Sequence, residues 1–297
     1  MGAAWFLAAS LLLDPERLAR TEAPPFTILS EPGLSAEAER IATAMPGIIS
    51  RLMSELGARS LPESTLYLIS RDAESGIPQA SGMPIWAAGL ALPRERTVVI
   101  RADRLGSYRQ RQLLGVVAHE IAHLMMFEAA GAGARLMPIW FREGVAANLA
   151  RDGEWMDFMY LWISTIPTSA HPLSGLTDSF EARDSDLSPR TAYAGSFSFA
   201  RFAMQRHTPA LPSRILTSLR EGLDFERAYQ AAAGVALSVD EAAWSAELRG
   251  RTRWAAILTS SAALWLVISL LFVLAYLLKK HRAARTMDRW REEDPFG

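Results

Sequence analysis

Cysteine is absent from the 297-residue chain, which removes disulfides and thiolate metal ligands from any account of it. Histidine is scarce, with five in the whole sequence, so any two in register carry weight. A formal net charge of -1 and the lack of a basic block in the body of the chain exclude the electrostatic footprint of a nucleic-acid-binding protein. No internal repeat is visible, which excludes solenoids and propellers. Charge is also missing from residues 254–278, a run of 25 dominated by Leu, Ala, Val, Ile, Trp and Phe. As a helix this run is about 37 Å long, more than the hydrocarbon core of a bilayer, and a single transmembrane helix is expected there.

Trp254 and Tyr276 stand near the ends of that run, where interfacial aromatics belong. Lys279, Lys280, Arg282 and Arg285 follow it closely and outweigh Arg249, Arg251 and Arg253 before it. This excess predicts a cytoplasmic tail over residues 279–297 and an extracytoplasmic body. At the other end, residues 3–13 are apolar but too short to span, and Ala8-Ala9-Ser10 supplies small residues. Residues 1–24 are therefore expected to be a signal-like leader, although no basic residue precedes the apolar stretch. A buried first helix is the competing reading. About 230 residues remain between leader and span, enough for one sizeable domain.

The most informative stretch inside that domain is His119-Glu120-Ile121-Ala122-His123. Residues four apart on a helix share a face, so both imidazoles can reach one tetrahedral Zn²⁺ while Glu120 stands over the open position. Residues 109–127 read as that helix, buried through Leu113, Leu114, Val116, Val117, Ile121, Leu124 and Met125. A third protein ligand is required. The long metzincin pattern would need Gly and His where Met126 and Ala129 stand, which excludes that class. Glu128 follows His123 by five residues, a rotation that swings it to another face of the helix. Glu143 is better placed: Gly131 and Gly133 break the chain, Pro138 suits a helix start, and residues 138–150 read as a second helix able to bring Glu143 to the metal.

At these residues the chain resembles the gluzincin metallopeptidases, and more narrowly the bacterial peptidase MA-like domains related distantly to thermolysin. Ala118-His119-Glu120-Ile121-Ala122-His123 and then Pro138-Ile139-Trp140-Phe141-Arg142-Glu143-Gly144-Val145-Ala146 carry the resemblance. Trp86-Ala87-Ala88-Gly89-Leu90-Ala91 leading to Thr97-Val98-Val99-Ile100, and Tyr193-Ala194-Gly195-Ser196-Phe197-Ser198-Phe199, are similar as well. The likeness covers roughly residues 25–248 and implies an α+β fold: a small N-terminal sheet, a thermolysin-like core of zinc-binding helices, and a C-terminal helical lobe. It implies Zn²⁺ on His119, His123 and Glu143, peptide or protein substrates, and Glu120 as general base for a metal-activated water. It singles out Tyr193 among the aromatics as donor to the developing oxyanion, with His171 and His207 as alternatives. One departure stands out. Where thermolysin-like enzymes carry an aspartate that orients a zinc-bound histidine, this chain has Ala147, leaving Asn148 and Asp152 to be considered.

Around the motif, residues 26–29 and 65–69 read as strands and residues 36–56 as a helix. The β-branched residues 97–100 read as an edge strand for substrate, or else as an interior strand of the same sheet. Ser188-Pro189 begins a helix, Asp224 caps another, and Ser238 with Glu241 has the form of a capping box. Two other classes of function compete with the peptidase: an inactive zinc-binding module of a membrane complex, and an intramembrane protease.

Overall fold

The computed structural model describes residues 18–70, 87–105, 109–150, 172–176, 189–258, 265 and 268–280. Two compact units make up the chain, residues 1–244 and 245–297. The first opens with a hairpin of β1 (Ala19–Ala23) and β2 (Phe26–Ser30). The sheet thus takes in residues upstream of the expected start at 25. Alternation decides β2, whose Phe26, Ile28 and Ser30 point inward while Thr27 and Leu29 lie at an intermediate depth. Helix α1 (Ser35–Leu56) then crosses to β3 (Ser64–Ile69), which pairs parallel with β2. Its buried stripe, including Ile41, Met45, Ile48, Leu52 and Leu56, recurs at helical spacing, and Gly57 ends it with φ 66°.

Strands β4 (Gly89–Leu92) and β5 (Thr97–Arg101) complete a mixed five-stranded sheet in the order β1-β2-β3-β5-β4. β5 lies between β3 and β4 with all five residues buried, so the β-branched run is interior and not the edge strand. Burial on both faces favours such a run of Val and Ile. The edge beside the next helix is β4, whose Gly-Leu-Ala-Leu sequence is too short and too plain to advertise itself.

Helix α2 (Arg109–Ala130) packs against α1, β4 and β5. By length and composition residues 113–136 could cross a bilayer, yet 78% of the most apolar window is buried inside the fold. Apolar character all round therefore marks a core helix here, which argues against the intramembrane reading. Gly131, with φ 56°, ends α2 in the left-handed conformation. A 3-10 segment, Gly131–Leu136, leads to α3 (Ile139–Leu149), with Pro138 as its N-cap.

The helical body follows: α4 (Pro189–Arg206), α5 (Leu211–Arg220), α6 (Phe225–Ala233) and α7 (Leu237–Leu258). Asp224 caps α6 as expected, accepting the Arg227 N–H at 2.8 Å. The capping box at Ser238 does not form. Ser238 lies within α7, and Glu241 accepts instead from the Leu173 N–H at 2.8 Å, because a distant backbone donor outcompetes the local one. The architecture is α+β, a mixed sheet followed by a helical body, as expected.

In the second unit, Trp265 and residues 268–280 are helical, and Ile268, Leu270, Leu271, Phe272, Val273, Leu274, Leu277 and Leu278 are exposed. The leader's first 17 residues, residues 259–264 and 266–267 of the expected span and the tail from 281 lie outside the described residues.

Candidate metal centre

α2 and α3 bring three ligand atoms to one point. His119 and His123 project from consecutive turns of α2 with their Nε2 atoms 3.1 Å apart. From α3, Glu143 Oε2 lies 3.4 Å from His119 Nε2 and 3.5 Å from His123 Nε2. Four ligands about 2.05 Å from a tetrahedral zinc are about 3.3 Å from one another. The three observed separations match the edges of that tetrahedron, so the donor set fits zinc by chemistry and by spacing. Glu128 is exposed near the end of α2 and takes no part.

Several packing features hold α3 in place. Trp140 and Phe141 of α3 meet Phe225 edge-on with ring centroids 5.6 and 5.1 Å away, and Trp140 meets Phe199 at 5.0 Å. Gly144 lies so close to α4 that a Cβ there would be 2.3 Å from the Ser196 carbonyl oxygen. Asn148, considered above as an orienter of a zinc histidine, donates its amide Nδ2 to the Gly144 and Phe197 carbonyls at 2.7 and 3.0 Å, stapling α3 to α4. Asp152 lies outside the described residues.

The C-termini of both metal helices are capped from afar, which local sequence could not announce. Arg220 of α5 donates Nε to the Ala129 carbonyl at 2.6 Å and a second nitrogen to the Glu128 carbonyl. Arg51 of α1 donates to the Leu149 carbonyl at 2.5 Å. Each guanidinium satisfies carbonyls left over at a helix end and opposes the negative end of its dipole.

Electrostatics separate the two carboxylates. Burial pushes Glu120 up to about 7, assisted by the Glu143 charge and opposed by His119 and by a hydrogen bond from the backbone of Ala91. Burial acts on Glu143 in the same sense, but His123 and His119 outweigh it by charge and hydrogen bonding and hold it well below the usual carboxylate range. Two carboxylates on neighbouring helices, Glu120 buried and Glu143 partly buried, thus differ in proton affinity: one is ready to carry a proton, the other stays charged.

Tyr193 comes to the same place from α4. Its phenol hydrogen-bonds to Glu143, and burial, then the Glu143 and Glu120 charges, push its ionisation well above 10, with Arg142 opposing. His207, the alternative donor, is committed elsewhere. Its Nε2 lies 2.6 Å from Asp240 Oδ2, the fully buried carboxylate that also accepts the Tyr229 hydroxyl at 2.7 Å and pairs with Arg206 at 3.1 Å. His171 lies outside the described residues. Arg142, Ala91 and Gly89 are neighbours of the site that motif and spacing do not single out. All three fall within stretches that carry the family resemblance, but nothing local ties Gly89 or Ala91 to Glu120.

Among comparisons with known proteins, the family rests on one, the family model. The solved structure of yeast LTA4 hydrolase in complex with Bestatin is similar over 70% of this chain and 34% of that one, at 13% identity and a TM-score of 0.41. This chain therefore spans about a third of that protein's length. No curated protein sequence matches. The family model of the peptidase MA superfamily matches residues 43–250, a stretch that contains the whole sheet from β3 onward, both metal helices and Tyr193. With its His119, His123 and Glu143 site inside that match, the chain belongs to the peptidase MA superfamily.

Proposed function

We propose that this protein is a membrane-anchored zinc peptidase that hydrolyses peptide bonds with Glu120 as general base. The convergence of His119, His123 and Glu143 on one point, with the buried Glu120 carboxylate beside it, carries the reading. When bound, zinc supplies positive charge that acidifies water and polarises a carbonyl. Glu120 accepts the proton released as water attacks the peptide carbon and delivers it to the leaving amine. The Tyr193 hydroxyl, kept protonated by its surroundings, donates a hydrogen bond to the oxygen that gains charge.

Substrate would lie along β4. The Arg101 N–H donates to the Ala88 carbonyl, so Ala88, Leu90 and Leu92 turn their backbone groups toward β5 while Gly89 and Ala91 turn theirs outward. An extended peptide can pair with these outward groups, a mode that favours main chain over any particular side chain. The test is direct. Purified zinc-loaded protein should cleave an unstructured peptide, lose that activity to a chelator and regain it with zinc. Tyr193→Phe should lower kcat by about 10²–10³-fold with zinc content unchanged. A loaded protein that leaves peptides intact would instead be an inactive zinc-binding module.

The anchor rests on residues 254–278, whose apolar side chains from 268 onward stand exposed and are matched by lipid rather than water. In this reading the metal-bearing unit is extracytoplasmic and residues 279–297 are cytoplasmic. Protease added to cells with any outer envelope removed should digest the unit, whether periplasmic or extracellular, and spare a tag at the C-terminus; protection of the unit would overturn the orientation.

A further inference from the structure

Glycine at 89 has a consequence for catalysis. Its φ is unremarkable, so backbone freedom does not explain it; contact does. A Cβ built on Gly89 would lie 2.4 Å from Glu120 Oε1, 2.6 Å from Cγ and 2.7 Å from Cδ. All three nearest atoms belong to one side chain, that of the general base, and no real Cβ tolerates such distances. The Glu120 side chain therefore occupies the space that a Cβ on residue 89 of β4 would need.

Neighbouring contacts show that this seat is built. Two residues further along β4, the Ala91 backbone hydrogen-bonds to Glu120. The start of β4 is held in turn: the Arg104 guanidinium donates to the Ala87 carbonyl at 2.9 Å, and the Arg101 N–H donates to the Ala88 carbonyl at 2.8 Å. Arg101 is itself buried and paired with Asp103 at 2.9 Å. The strand is thus fixed from the β5 side, while its outward side receives the carboxylate.

We propose that Gly89 is a positioning residue: by lacking a side chain it lets the edge strand seat the Glu120 carboxylate, so that one strand aligns both the substrate main chain and the base that serves it. This deepens the peptidase reading and rests on it. A further consequence is that the Ala91 N–H, taken by Glu120, is withdrawn from substrate pairing. Peptide must then use the remaining outward groups, the Gly89 N–H and the carbonyls of Gly89 and Ala91.

Gly89→Ala tests the seat, because the new methyl must displace the flexible Glu120 side chain rather than backbone. In zinc-loaded protein we expect kcat to fall about 100-fold or more, with KM within about threefold of wild type and one zinc retained per chain, the signature of an interaction felt only at the transition state. A raised KM with kcat unchanged would make Gly89 a substrate contact and overturn the proposal, as would full activity. Melting temperatures of four proteins separate this outcome from failure of the peptidase reading. Gly89→Ala should lower Tm by about 3 °C or more in the presence of Glu120 and by much less in a Glu120→Ala background, where the space is vacant. Equal drops in the two backgrounds would sink the seat even if peptides are cleaved. A background-dependent drop in a protein that cleaves nothing would keep the seat and sink the peptidase.

Discussion

Glu120→Gln is expected to lower kcat for peptide hydrolysis by about 10²–10⁴-fold while leaving one zinc bound per chain. The amide has nearly the shape of the carboxylate, so it can keep the place beside β4 that the methyl-free Gly89 provides. What it cannot do is accept a proton. Retained metal follows because the three atoms that converge belong to His119, His123 and Glu143, and Glu120 is not among them. The pH dependence gives an independent reading. Burial raises Glu120 to about 7, and a cation held by His119, His123 and Glu143 would favour the charged form and draw that value down. A base works only when ionised, so kcat/KM should fall as pH drops through a midpoint at or below about 7. That acid limb should be missing from the residual activity of Glu120→Gln. Equal activity of wild type and variant would remove Glu120 from the chemistry.

The second large effect is on the metal. Glu143→Ala should bind zinc more than about 100-fold more weakly, since losing an outer partner of a metal site already costs about 10–100-fold and Glu143 is a direct ligand candidate. Activity should fall in parallel and not be restored by modest excess zinc. Metal analysis beside circular dichroism checks it, because the helix that carries Glu143 is held by Trp140, Phe141 and the Asn148 staple and should stay folded. Full zinc stoichiometry in the variant would move the third ligand elsewhere. Exposed Glu128 would be a poor replacement without rearrangement of α2.

Much of the site is legible in the amino-acid sequence. Spacing of four places His119 and His123 on one helical face whatever surrounds them, and the glycine break followed by Pro138 delimits the helix that carries Glu143. Tyr193 is reached only through family resemblance, since an aromatic on an amphipathic stripe is equally at home in a core. The edge strand escapes local pattern for a related reason. β-Branched residues at 97–100 fit any strand, and whether a strand has a neighbour on each side is decided by distant pairing, here by β3 and β4. Ser238 and Glu241 satisfy a local capping pattern, yet Glu241 finds the Leu173 N–H, a partner 68 residues away.

What local sequence determined about this protein is thus the set of interactions made within a turn or two of helix: the paired histidines, the carboxylate beside the first of them, the helix limits and the apolar run at 254–278. Those depend on dihedral periodicity and side-chain chemistry alone. Tertiary structure decided everything that needs two distant segments to meet, including the Glu143 approach, the phenol of Tyr193 on that carboxylate, the Arg220 and Arg51 caps and the closeness of Gly89 to Glu120. The physical reason is that packing chooses among many partners of similar local merit, and burial then sets the proton affinity of each group it encloses.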